Sequence, residues 1–100
     1  MTYSVQKLTV KRRSTIKSGA VCEVEVNEQV VIPFIKAIDK KAYGQFFLRR
    51  KFAVDLTQKI LTPFPQGYSG VPLVMVKNDS VGDIELLAGE ELGEVWIFVG

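Results

Sequence analysis

Residues 20–35 read AVCEVEVNEQVVIPFI. Cys22, Val24 and Val26 fall on one side of an extended chain, with Glu23 and Glu25 on the other. That period of two is what a half-buried strand requires, whereas a helix would scatter the same residues around its circumference. Val30, Val31 and Ile32 add β-branched side chains, which suit a pleated surface. Asn27-Glu28-Gln29 between the two runs predicts a hairpin turn, without the glycine of the strongest turn signals. This stretch sets the expectation of a mainly β protein.

The flanking segments extend that expectation. In YSVQKLTVKRR (3–13), Leu8 and Val10 share one face while Lys7, Lys11 and Arg13 share the other. Ser18-Gly19 suits a turn. The run PFIKAIDKKAY (33–43) is compatible with two structures. Pro33 can open a helix whose stripe is Ile35, Ile38 and Ala42, or it can mark an edge or bulged strand. The β-branched content of VVIPFI favours a strand through about Ile38, with Asp39–Gly44 as a turn. A further strand is expected over residues 45–54. Pro63, Pro65, Gly67 and Gly70 predict a helical turn or irregular loop over 55–70. VPLVMV (71–76) is continuously apolar, as in a strand buried on both faces. A short strand near 83–87, an acidic loop from Gly89 to Gly93 and a last strand EVWIFVG (94–100) complete the chain. The expected architecture is mainly β: one small antiparallel or mixed sheet or barrel-like domain, with one or two short helices. One hundred residues is the usual length of such a unit.

Composition limits the function. No uninterrupted apolar run approaches the ~20 residues of a membrane-spanning helix. MTYSVQKLTVKRR carries no apolar region ahead of a small-residue cleavage site, so no secretory signal is expected. Cys22 is the sole cysteine, which rules out an internal disulfide and fits a reducing cytosol. The sequence has no histidine, and hence no imidazole base or imidazole metal ligand. Its glycines form neither a dinucleotide-binding fingerprint nor a phosphate-binding loop. The acids at 79, 83, 85, 90 and 91 lack the spacing of a calcium loop. No catalytic residue, cofactor, metal or small-molecule substrate is indicated.

Charge is distributed unevenly. Residues 1–51 hold eleven Lys and Arg against four acids, a surplus of +7, and residues 52–100 hold two against seven, a surplus of −5. A basic half suggests a polyanionic partner, unless folding brings the two halves together. The strongest candidate site is GQFFLRRKFAV (44–54). As a strand it places Phe46, Leu48, Phe52 and Val54 on a core face, with Phe47, Arg49 and Lys51 on the other. Such a face offers a ring for base stacking and cations for phosphates. Arg50 falls on the apolar side and needs a bulge, or a stem that reaches past the core edge. Lys7, Lys11 and Arg13, with Arg12 nearby, form a second basic face that would make a positive groove beside the first. Edge protection by charge accounts for the same residues without a ligand. At the C-terminus VWIFV is apolar on both faces. Trp96 and Phe98 are therefore candidates for a homo-oligomer interface, through strand pairing or otherwise, unless the strand is central in its own sheet.

Over residues 5–65 the order of features resembles the SpoVG family, the septation and sporulation regulators of bacteria. The residues that carry the likeness are KLTVKRR, AVCEVEV, Asn27-Glu28-Gln29, VVIPFIKAID, Gly44, Phe46-Phe47, Arg49-Arg50-Lys51 and TPFP. The resemblance implies a small dimeric, mostly antiparallel β domain that binds DNA or RNA. The sequence thus leads to a non-catalytic nucleic-acid-binding regulator, with a protein-interaction module that self-associates or grips an acidic protein as the alternative.

Overall fold

The computed structural model describes residues 2–37, 39–59 and 64–100. Its strands are β1 (Thr2–Thr9), β2 (Ser14–Ile16), β3 (Val21–Val24), β4 (Val30–Val31), β5 (Ala42–Leu48), β6 (Leu56–Gln58), β7 (Ser69–Gly70), β8 (Val74–Asn78), β9 (Ile84–Leu86) and β10 (Glu91–Val99). One helical turn, α1 (Arg50–Ala53), lies between β5 and β6. The strands form small antiparallel sheets ordered β1-β10-β5, β3-β8-β6, β2-β9 and β4-β7. The mainly β expectation holds. Among the described residues no helix is long and apolar enough to cross a membrane.

Alternation works where it was clean. Val24 and Val26 are buried and Glu23 and Glu25 exposed; Leu8 and Val10 are buried and Lys7 and Lys11 exposed. These side chains meet Phe46, Val74, Val76, Leu86, Val95 and Ile97 in one apolar core. Gly19 takes φ +78° in the turn after β2, a conformation that costs glycine little.

Pairing departs from the local reading. β3 pairs with β8, and β4 with β7, so the hairpin expected at 27–29 does not form. The side chains there explain why. Glu28 accepts hydrogen bonds from the Thr9 N–H and hydroxyl, both at 2.6 Å, and Asn27 donates to the Val10 carbonyl at 3.2 Å. The chain is thereby tied to β1 and cannot double back on β3. The expected strand through Ile38 is only Val30–Val31. Pro33 has no N–H with which to extend the ladder. Residues 32–37 are irregular, and Ile38 lies outside the described residues.

The strand expected over 45–54 also differs. β5 begins at Ala42 and stops at Leu48, and α1 turns the chain with the Phe52 and Ala53 N–H groups donating to the Arg49 carbonyl. Phe52 enters the core from this helical turn, while Val54 is 82% exposed rather than core-facing. Arg50 needs no bulge, because it opens the helix and faces solvent. In VPLVMV, Val74 and Val76 are buried but Val71 and Leu73 are exposed, so the two-sided burial expected of that run does not occur. Gly93 belongs to β10, not to an acidic loop.

Candidate interaction face

The β1-β10-β5 sheet has one face on the core and one open to solvent. Register lines the open face with three rows across three strands. Tyr3 lies opposite Phe98, and Phe98 opposite Tyr43; Val5 opposite Trp96, and Trp96 opposite Gln45; Lys7 opposite Glu94, and Glu94 opposite Phe47. Cross-strand neighbours lie close enough for rings to touch directly and on the diagonal. Tyr3 stacks on Trp96 with centroids 5.1 Å apart and planes 6° from parallel, and Tyr43 stacks on Phe98 at 5.1 Å. Phe47 meets Trp96 edge-on at 6.0 Å. Tyr3 is 60% exposed and Phe47 42%, and Trp96 and Phe98 are half-buried.

Phe47, Trp96 and Phe98, singled out separately in the sequence, therefore occupy one surface. Tyr3, Tyr43 and Glu94 belong to it and were missed. Their signal was parity: Tyr3 and Val5 share the face of Lys7, and Tyr43 shares that of Phe47. β10 has β1 on one edge and β5 on the other. It is the central strand of its sheet, so strand pairing of VWIFV with a second copy is blocked and only its outer face is available.

The cations are placed differently. The positive groove expected from two adjacent basic strands does not form, because β10 runs between β1 and β5. Arg12 pairs with Glu25 at 2.7 Å, and Arg13 pairs with Glu85. Arg49 lies 3.9 Å from Glu90 and from Glu91, and Lys51 reaches Glu90 at 2.9 Å. Arg13, Arg49 and Lys51 of the first half thus meet acids of the second, and the asymmetry along the chain is partly cancelled in space. Lys7, Lys11 and Arg50 are exposed and carry no side-chain ion pair among the described residues. Glu90 is the carboxyl most affected by its surroundings. The hydrogen bond from Lys51, then that from the Leu87 N–H, lower its pKa from the ordinary glutamate value, with the charges of Lys51 and Arg49 adding and partial burial opposing.

Among the described residues no group of three or more Cys, Asp or Glu side chains is placed to hold a metal ion. A depression of about 370 Å³ opens on the aromatic face between Phe47, Glu94, Trp96 and Phe98. The Trp96 indole N–H donates to Glu94 Oε1 at 3.0 Å at its rim.

No protein-family model matches the chain, and no curated protein matches it. Among solved structures it is similar to the native dUTPase of EIAV, with a TM-score of 0.74 over 97% of this chain and 88% of that one. Sequence identity is 15%, so the likeness is one of fold. The chain shares its β architecture with that dUTPase.

Proposed function

We propose that this protein is a non-catalytic interaction module that docks a short segment of a protein partner on the aromatic face of the β1-β10-β5 sheet. The observation that carries the reading is the continuous, solvent-facing set of Tyr3, Tyr43, Phe47, Trp96 and Phe98 on one rigid sheet. Aromatic residues are enriched at interfaces and dominate their energetics. Three strands about 4.8 Å apart and three rows about 6.8 Å apart give a footprint of roughly 300 Å². A standard interface buries about 800 Å² per partner, so the face suits a peptide-like segment better than a whole globular surface.

Nucleic-acid binding is the competing use of this face, with Phe47 stacking on bases and Arg49, Arg50, Lys51, Lys7, Lys11, Arg12 and Arg13 on phosphates. Exposed Phe47, Lys7, Lys11 and Arg50 favour it. Against it stand the carboxylate partners of Arg12, Arg13, Arg49 and Lys51, and the Glu94 carboxylate beside Trp96, which repels phosphate. The carboxylates near those cations are engaged in ion pairs, which favours a structural over a catalytic use.

The test is to pan a random peptide display library on the wild type and on Phe47→Ser/Trp96→Ser. Peptides that bind the wild type with affinity insensitive to salt and lose the variant are expected. Labelled single-stranded DNA and RNA, measured by fluorescence anisotropy at two salt concentrations, form the second arm. Salt-dependent binding that falls in Arg49→Ala/Lys51→Ala, with no face-dependent peptide recovered, would transfer the function to nucleic acid. Sedimentation velocity tests homo-oligomerisation through Trp96 and Phe98, and dUTP hydrolysis, the activity named for the structural neighbour, is assayed in parallel with none expected.

A further inference from the structure

The depression on the aromatic face has a chemistry of its own, and the inference here rests on that face being the working surface. Three of its lining residues are rings: Phe47, Trp96 and Phe98, with Trp96 6.0 Å from Phe47 and 6.3 Å from Phe98. The fourth is Glu94. An aromatic π face carries negative potential, which attracts a cation placed over it, and tryptophan does so best. A carboxylate beside three rings would disfavour a purely apolar occupant, because covering it without a partner costs desolvation. It would also repel phosphate. The same carboxylate complements a positive charge.

Glu94 is held ready for that role. Its Oε1 accepts the Trp96 indole hydrogen at 3.0 Å, which fixes the carboxylate against the ring. Oε2 has no partner among the described residues. Lys7 lies opposite Glu94 in the strand register, yet no ion pair within 4.0 Å joins them. Arg49 and Lys51, which follow Phe47 in the chain, pair with Glu90 and Glu91 instead.

We propose that the slot formed by Phe47, Trp96, Phe98 and Glu94 binds an organic cation, an alkylated ammonium or a guanidinium, with the rings around the charge and Glu94 Oε2 as its counter-ion. At about 370 Å³ the slot has room for the cationic group together with part of the chain that bears it. A basic side chain presented by the docked segment satisfies both the rings and the carboxylate.

Trp96 is the sole tryptophan, so intrinsic fluorescence reports directly on the slot. The full chain is titrated with choline and with 3,3-dimethylbutan-1-ol, its neutral carbon isostere, at constant ionic strength. Choline is expected to change Trp96 fluorescence saturably, and the alcohol to bind at least about tenfold more weakly. Glu94→Gln keeps the shape and still accepts the indole hydrogen. It should weaken choline about fivefold to tenfold and leave the alcohol unchanged. Far-UV circular dichroism confirms that the variant is folded. Peptides carrying trimethyl-lysine, arginine or norleucine at one position form the last arm. Cationic peptides tighter than choline assign a protein segment as the source, and affinities equal to choline assign a free cation. Equal binding of choline and the alcohol, or no saturable response from the folded wild type, overturns the proposal. Recovery of neutral apolar peptides in the panning experiment would then preserve the interaction module while rejecting its cation specificity.

Discussion

Adding one methyl group at Gly93 should unbalance the sheet on which the aromatic face is built. Gly93 lies in β10 opposite Leu48 of β5, with its Cα directed toward the core. A Cβ built there meets the Phe47 carbonyl oxygen, and the Phe46 ring at 2.7 Å (Cζ) and 2.9 Å (Cε1). None of these can retreat cheaply. The carbonyl belongs to the neighbouring strand, and Phe46 is among the largest fully buried side chains. Overpacking of this kind costs about 1–3 kcal/mol. Loss of a ladder hydrogen bond as β5 moves away adds about 1 kcal/mol. The entropy lost by the unfolded chain returns about 0.4–1 kcal/mol. The net expectation for Gly93→Ala is about 1–3.5 kcal/mol of destabilisation. In a chain this size each kcal/mol lowers Tm by roughly 4–8 °C. Urea unfolding followed by Trp96 fluorescence and by circular dichroism measures it, with Gly82→Ala as control. Gly82 has open space around its Cα and no positive φ, so its variant should stay within about 0.5 kcal/mol of the wild type. Leucine lacks the Phe46 atoms that clash, so Gly93→Ala/Phe46→Leu should be less unstable than the sum of its single changes. A Gly93→Ala variant as stable as the Gly82 control would refute the register of β10 against β5 and, with it, the composition of the aromatic face.

Two further outcomes test other parts of the fold. Asn78, completely buried, donates to the Ile16 and Gly82 carbonyls, both at 2.9 Å, and accepts from the Ser80 N–H and hydroxyl; Asn78→Ala strands buried polar groups and should cost about 2–3 kcal/mol in urea unfolding. Glu90 has a folded-state pKa below that of the unfolded chain, so its contribution is present above the ordinary glutamate range and is lost as pH falls through the lower folded value. The stability gap between wild type and Glu90→Gln should therefore be open at pH 7 and narrow as the solution is acidified below the ordinary glutamate range; a gap independent of pH would show that the carboxylate is not stabilised by Lys51 and its other partners.

Where polar and apolar residues alternate, the local pattern was enough to assign a segment to β and to say which of its faces goes inside. Val24 and Val26, Leu8 and Val10 follow their parity because burial of one face is a local consequence of a two-residue period. The sequence also contained the aromatic residues of the candidate face, and the parity of Phe47. Tertiary structure decided the partners. No local rule states that β10 inserts between β1 and β5, because its partners lie more than eighty positions away in β1 and more than forty away in β5. Yet this insertion separates Lys7 from Arg49, brings Tyr3 and Tyr43 to Trp96 and Phe98, and occupies both edges of β10. The end of β5 was equally non-local. Phe52 reaches the core through a helical turn, with the Arg49 N–H bonded to the Leu92 carbonyl. Charge was the least legible feature, since an ion pair forms between whichever side chains the fold brings within reach. Arg49 and Lys51 found Glu90 in the loop between β9 and β10, so two of the three cations of a basic run are paired with a carboxylate while Arg50 stays exposed.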